Sequence, residues 1–433
     1  MSRLPPWRAC STFTSADLSD VVFFYLKGFV QGANGSCTSL LESETMKILQ
    51  VVPGMSPQYG GPNVALTDLT RLLTERGFET TLMTTNSDPS GRIDVPLGVM
   101  TSQRGANVMY FNMWPAGRYA FSMALAKSLF QNINNYDVVH IHWLYSFSSL
   151  IAAIAAQYAH VPYVFQPNGS LDPYLMKKNR WLKNFYNTIW GNYIIQHAAG
   201  IIFTSEAECN FADLHKANVP EHIVPVGLDW KDYAILPSQG QFRKQYPAVA
   251  DKKIILFLGR ISRQKGLDLL IPAFHAVKSR VPNAHLVIAG PDSEGYGETI
   301  RQLIGEFNLE DSVTWVGYLS REMKLAAYVD CDLYVLPSYA ENFGATVTEA
   351  LACEKPVVIT NRVNICGEIE KAQAGIVVEC AVESIVNGMR LVLEDPNLSR
   401  QLGQKGRKLV QQKFTWDVVL RELITVYQGV AVQ

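Results

Sequence analysis

Runs of apolar, β-branched residues alternate with helix-length segments twice over in this chain, and that alternation restricts it to parallel sheets covered by helices on both faces. Met46-Lys-Ile-Leu-Gln-Val-Val52 reads as a buried strand, followed by a turn from Pro53 to Pro62 and a helical pattern to Arg76-Gly77. Strand-like runs recur near 79–84, 107–112, 136–142, 162–166 and 200–204, with helix-length segments at 118–132, 146–160 and 179–199. A polar stretch punctuated by Pro and Gly closes this series at 226–250. A second series has strands near 253–258, 284–289, 312–316, 332–336 and 356–360. The pattern predicts two doubly wound, Rossmann-like α/β domains, 46–225 and 251–415, joined by a linker at 226–250 and facing a cleft. A last helix, Trp416 to Tyr427, lies in the closing segment 416–433 and comes after the second sheet is complete, so it is free to pack elsewhere.

At 433 residues, 48% of them hydrophobic, the chain has apolar material for two or three cores. Its 38 basic and 39 acidic residues leave a net charge of −1 without a long basic block, so nucleic acid is not an expected partner. The seven cysteines include no CxxC pair, and a reduced, cytoplasmic setting is expected rather than a disulfide framework or a structural zinc. The early apolar run Val21 to Leu26 is broken by Lys27 and is far too short to cross a bilayer. With Asp17 and Asp20 ahead of it, it also makes a poor signal peptide. Residues 1–45 precede the first credible strand and Met46 is itself a plausible start, so this extension is expected to be disordered and dispensable.

The densest chemistry lies in Ser338-Tyr-Ala-Glu341-Asn342-Phe343-Gly344-Ala-Thr-Val-Thr-Glu349. Strand signals at Asp332 to Pro337 and Pro356 to Thr360 bracket it, which puts it at a strand's carboxyl end, where open α/β sheets bind ligands. Glu341 falls in the loop, and Gly344 permits close backbone approach. The run after Gly344 reads as a helix whose first N–H groups are unpaired, an anion site. Glu349 lies about one turn further in. A loop carboxylate, a bare helix start and a helix carboxylate suit a ligand with hydroxyls at both ends and phosphate between, as in a nucleotide sugar. By spacing alone, the same glutamates also fit an ordinary loop and helix surface.

Leu258-Gly259-Arg260-Ile-Ser-Arg-Gln-Lys265-Gly266 follows the second series' first strand and is placed like a phosphate loop, without a Walker or GxGxxG pattern. Arg260 can grip phosphate with two N–H groups and Lys265 can add a point charge. In the first series, Asp137-Val-Val-His140-Ile-His142 ends a strand with both histidines on one side. His140 is expected to be a packed core residue, and His142, at the strand's end, to face the cleft. Gly60 and Gly61 form either a plain turn or a close backbone approach to sugar or phosphate. Asp330-Cys331-Asp332 matches a DxD metal pattern but reads as a turn before a strand. The basic and aromatic segment 177–190 is expected either to be a surface helix or to lie against a membrane or a charged acceptor.

Taken in order, Tyr59-Gly60-Gly61-Pro62, His140-Ile-His142, Gly259-Arg260 with Lys265-Gly266, and Glu341, Phe343-Gly344 and Glu349 ahead of Pro356-Val-Val resemble the motifs of the family 4 retaining glycosyltransferases, from about Met46 to Tyr427. The resemblance implies a GT-B fold with its closing helix crossing back to the first domain. It implies that Arg260 and Lys265 hold the donor's phosphates and Glu349 its ribose hydroxyls. Glu341, with the backbone of Asn342, Phe343 and Gly344 after it, would hold the donor sugar, and His142 would lie near the reactive face. The expected activity is metal-independent transfer, hexosyl transfer in the first instance, from a nucleotide-diphosphate sugar to a glycan or lipid-linked acceptor in polysaccharide or glycolipid synthesis. No cofactor beyond the donor is implied, and a place in the cytoplasm or at the inner membrane face is expected. A nucleotide-sugar epimerase of related fold and a non-catalytic sugar-binding protein are the alternatives. Three residues depart from the family pattern: Glu354 stands for a glycine, Asn168 for a histidine and Val226 for an asparagine.

Overall fold

The computed structural model describes residues 45–56, 61–89, 91–114, 119–177, 179–214, 217–292 and 294–432. Apart from Thr45, the extension 1–45 lies outside the described residues, as does Gly60. The first domain holds β1 (Lys47–Val51), β2 (Glu79–Thr85), a small hairpin of β3 (Ser87–Asp88) and β4 (Gly91–Arg92), β5 (Met100–Gln103), β6 (Ala106–Phe111), β7 (Val138–His142), β8 (Tyr163–Gln166), β9 (Gly200–Phe203) and β10 (Glu221–Ile223). Apart from the hairpin, these form one sheet in the order β10-β9-β8-β7-β1-β2-β6-β5, parallel except at the β5–β6 edge. The second domain's strands are β11 (Lys253–Leu258), β12 (Ala284–Ala289), β13 (Val313–Gly317), β14 (Leu333–Leu336), β15 (Val357–Thr360) and β16 (Ile376–Val378). They form a parallel sheet in the order β13-β12-β11-β14-β15-β16.

The strand order reverses between β1 and β7 in the first sheet and between β11 and β14 in the second. Loops leaving the two strands of such a switch part to opposite faces and leave a crevice at their carboxyl ends. Gly61 and the segment from His142 border the first crevice, and 259–266 and 337–344 border the second. The long central strands are buried along their whole length, as in β7, β12 and β14, because helices cover both faces.

One apolar cluster fills the second domain, and two line the faces of the first sheet. The closing helix Trp416–Ala431 belongs to one of the latter: Trp416, Val419, Leu420, Leu423, Tyr427 and Val430, at helical spacing, are buried against the first domain. It therefore crosses back, and the two chain crossings run side by side where Leu228 donates to Phe414 O at 2.7 Å and Trp416 donates to Leu228 O at 3.1 Å.

Stretch 226–250, expected as a linker, is docked on the second domain. Phe242 and Val249 are fully buried in its core. Asp330 ties it down, accepting from the N–H groups of Gly240, Phe242 and Arg243 at 2.6, 2.8 and 3.1 Å. The first carboxylate of the DxD pattern is thus a backbone cap, and Asp332 likewise accepts from Ile254 N at 2.7 Å. The expected helix 118–132 begins at Met123, behind the Ser122 cap. The segment 179–199 is interrupted by a wider turn at Asn187–Gly191.

Candidate active site

The two second-domain loops are tied to one another before they meet any ligand. Gln264 Nε2 donates to Ala340 O at 2.8 Å, and Tyr339 N donates to Gln264 O at 2.9 Å. This clamp brings Lys265 onto Glu341 as an ion pair whose side chains are only 13% and 16% exposed. Glu341 is held from the other side as well, since its N–H donates to Arg362 O and its carbonyl accepts from Asn364 N. Gly344, at φ +83°, turns the chain into helix Ala345–Ala352 without a side-chain cap, so no side chain occupies the helix's first N–H groups. Glu349 sits on that helix, but its carboxylate is occupied: Lys324 Nζ lies 2.6 Å from one oxygen and Tyr328 Oη 2.8 Å from the other. Arg260 is exposed and has no ion pair or hydrogen bond among the described residues.

At Phe343 and Asn342 the side chains are engaged elsewhere, which leaves the backbone that the family resemblance implicates. The Phe343 ring is buried in the second core, edge-on to Phe414 with centroids 5.5 Å apart, so only its backbone is available to a ligand. The Asn342 side chain reaches across to the first domain, donating to Thr204 Oγ1 at 3.1 Å. Thr204 in turn donates through N and Oγ1 to the buried carboxylate of Glu208, which also accepts from Gly169 N at 2.6 Å. The two domains are further joined by stacking of Tyr174 on Tyr339, 6.3 Å apart and nearly parallel, and by Lys371 on Glu206 at 2.6 Å.

On the first-domain side, His140 and His142 stack with centroids 4.0 Å apart, on one face as their spacing requires. The expected contrast in burial between them is absent: each is 1% exposed, because the closing helix and the turn at Asn168 cover the strand's end. His140 Nδ1 lies 2.7 Å from Tyr427 Oη of the closing helix, and His142 is held by Gln50 and Asn168. Burial pushes the His140 pKa down to about 3, and burial, with His140 alongside, pushes that of His142 well below the usual value. Both rings are neutral at pH 7.

The sign of the pH effect follows. The unfolded chain binds these protons near pH 6.5 and the fold does not, so stability is full above pH 6.5 and falls as pH drops toward the folded value. His140 alone, with its pKa near 3, should cost about 2 kcal/mol at pH 5. Urea midpoints at pH 7.5 and 5 check this, and equal midpoints would mean that the pair is not buried.

Between the domains lies an open cleft of about 900 Å³, solvent at its mouth included. Gly61, Trp143 and Asn168 line it from the first domain, Glu341 and Gly344 from the second, and Trp416 and Leu423 from the closing helix. Both histidines lie in its wall. Arg260, Lys265 and Glu349 do not line it; Lys265 reaches it through Glu341. Among the described residues, no group of three or more His, Cys, Asp or Glu is arranged to hold a metal ion.

Residues 59–230 match the model of Glycosyltransferase Family 4 and 238–409 that of Glycosyl transferases group 1. A D-inositol 3-phosphate glycosyltransferase of Kineococcus radiotolerans is 25% identical over 421 residues, 90% of this chain and 94% of that protein. An uncharacterised glycosyltransferase of Methanocaldococcus jannaschii is 30% identical over 204 residues, 47% of this chain and 50% of its own. Among solved structures, sucrose-phosphate synthase from Thermosynechococcus elongatus superposes with a TM-score of 0.72 at 22% identity, covering 89% of this chain and 98% of that one. Anabaena HepE, solved with UDP and glucose, gives 0.70 at 20% identity, covering 90% and 100%. The fold is GT-B, two parallel-sheet domains on either side of a cleft. The chain belongs to the family 4 glycosyltransferases.

The family's departures have physical settings here. Glu354 takes the left-handed conformation, φ +57°, that a glycine adopts freely, and its carboxylate lies 3.6 Å from Arg407. Asn168 is likewise left-handed at φ +52°, which asparagine tolerates. Val226 lines the cleft. Sequence reasoning missed Gln264, Lys324, Tyr328 and Glu208. It also missed Gln50, although a glutamine inside an apolar strand run is a legible signal.

Proposed function

We propose that this protein moves a sugar, with retention of anomeric configuration, from a nucleotide-diphosphate sugar to a glycan or lipid-linked acceptor, as in polysaccharide or glycolipid synthesis. The observation that carries the reading is the clamp of the two second-domain loops, which sets Lys265 on Glu341 beside an uncapped helix start. Lys265, Arg260 and that helix start supply the positive field that a departing diphosphate needs, with no metal. Glu341 and the backbone at Asn342, Phe343 and Gly344 would hold the donor sugar, Glu349 the ribose and Gly61 the facing side of the ligand. In this reading the acceptor hydroxyl attacks from the leaving-group face and gives its proton to the departing phosphate.

Glu349→Gln should weaken donor binding about tenfold or more while leaving the melting temperature within a few degrees, since Glu349 is held by Lys324 and Tyr328 rather than by a core. Calorimetry with the donor decides it, and unchanged affinity in a folded variant would remove Glu349 from the site.

A lipid-linked acceptor agrees with the first domain's surface. Trp181 and Phe185 are 76% and 60% exposed on helix Arg180–Tyr186. Residues 95–205 carry Arg104, Arg118, Lys127, Lys177, Lys178, Arg180 and Lys183 but only two acids. Of these, Asp137 accepts from Lys47 N and Asp172 is buried as a backbone cap. A stretch of this basic composition, with two exposed aromatic rings on one of its helices, suits an anionic membrane surface at the cytoplasmic side. No helix among the described residues is long and apolar enough to cross one. The protein should float with phosphatidylglycerol vesicles and not with pure phosphatidylcholine, and Trp181→Ser with Phe185→Ser should abolish it. Flotation unaffected by that pair would place the contact elsewhere.

A further inference from the structure

Both ring nitrogens of His142 are already in use. Nε2 lies 3.2 Å from Gln50 Oε1, and Nδ1 lies 3.2 Å from Asn168 Nδ2. A carboxamide oxygen only accepts and an amide nitrogen only donates, so the two partners together select one form of the ring. His142 is the neutral tautomer that donates from Nε2 to Gln50 and accepts at Nδ1 from Asn168. Gln50 is fully buried, and His140, held by Tyr427, stacks on the ring's face, so the ring has no room to turn. His142 therefore presents no free N–H or lone pair to the cleft.

Asn168 lines the same cleft and has an atom to spare. Its Nδ2 donates to His142 and, at 3.4 Å, to Gln166 O, while its Oδ1 has no partner among the described residues. The oxygen is not on a loose loop. Ser170 N closes the turn onto Pro167 O at 3.1 Å, and Gly169 N is fixed to the buried Glu208 at 2.6 Å. Gly169 also abuts Asn342 of the opposite domain, so this turn stands where the two domains meet over the cleft. An uncharged oxygen acceptor attracts a hydroxyl hydrogen and repels a phosphate oxygen. It serves the carbohydrate end of a ligand.

We propose that Asn168 is a specificity-determining residue of the transfer: its amide holds His142 in the Nε2–H form, and its Oδ1 accepts a hydroxyl hydrogen from the donor sugar or the acceptor. The proposal rests on the glycosyl-transfer reading above.

Two readouts test it. Long-range proton–nitrogen spectra of protein labelled at histidine nitrogens, with the His142 signal assigned by its loss in His142→Gln, should give the Nε2–H tautomer. Asn168→Ala should shift its Nδ1 resonance. An Nδ1–H tautomer in the wild type would overturn the proposal without touching the transfer reading. In kinetics, UDP-glucose and GDP-mannose are compared with their monodeoxy analogues, and the acceptor with its deoxy forms. One deoxy compound should lose about tenfold in kcat/KM with the wild type and almost nothing further with Asn168→Ala. Asn168→Asp, which keeps an accepting oxygen, should retain part of that discrimination. The arm in which the effect falls identifies donor or acceptor as the source of the hydroxyl. If Asn168→Ala discriminates every deoxy compound as the wild type does, Asn168 touches no hydroxyl and the proposal falls, while transfer itself stands. A wild type that releases no nucleoside diphosphate from any of these donors would sink the transfer reading and the hydroxyl role together.

Discussion

Lys265→Ala should lower turnover roughly 10²–10³-fold, the range for losing one preorganised electrostatic contact. The lysine is a charge held in place: the loop clamp through Gln264 fixes it, and Glu341 keeps it nearly buried. Its removal has two effects that act in the same direction. The departing diphosphate loses a cation, and Glu341 is left as an unpaired, mostly buried carboxylate next to the bound sugar. A Lys265→Arg variant should recover only part of the rate, because the planar guanidinium cannot reproduce a point charge in so tight a pair. Steady-state kinetics checks this alongside a thermal melt. A folded Lys265→Ala enzyme with wild-type kcat would take the lysine out of the chemistry.

The second large effect is expected at Gly266, which ends the short turn Arg263–Lys265 in a left-handed conformation, φ +71°, and starts helix Leu267–Lys278. A methyl group there would run into the carbonyl oxygen of Pro337, a backbone atom that cannot swing aside. Left-handed strain and the clash together should cost about 2–5 kcal/mol. The loss is structural and functional at once, because Pro337 leads directly into the Glu341 loop and the collision pushes apart the two segments that make the site. Gly266→Ala should therefore show a lower urea midpoint and weaker donor binding together. A variant as stable as the wild type would mean that the two loops are not packed as described.

The central strands were legible because parallel strands covered on both faces are continuous apolar runs: β7, β11, β12 and β14 fall within a residue or two of their expected places. The short β5, β10 and β16 were not, since half-exposed edges of three or four residues carry little pattern. The stretch 226–250 looked like a linker for a similar reason. Its anchors are a few scattered buried residues, Phe242 and Val249 among them, and the distant carboxylate of Asp330, some 90 positions away. In the site, the acidic loop, the lysine loop and the bare helix start could be located because each follows a strand's carboxyl end. What occupies them could not. Lys324 and Tyr328 reach Glu349 from a different helix, and nothing in their spacing announces it. Phe343 sits inside a ligand motif, yet its ring obeys its hydrophobicity and enters the core. The even spacing of His140 and His142 fixed their shared face, but their equal burial depends on a helix that comes some 280 residues later.

The most direct measurement of glycosyl transfer is nucleoside diphosphate release from a panel of UDP-, GDP- and ADP-sugars, with and without glycan and lipid-linked acceptors and with EDTA present throughout. Release that requires acceptor, persists in EDTA and gives a product of unchanged anomeric configuration by NMR is the expected result. Donor that is bound but merely epimerised, donor left intact in every mixture, or release that returns only with added Mg²⁺ or Mn²⁺ would contradict it.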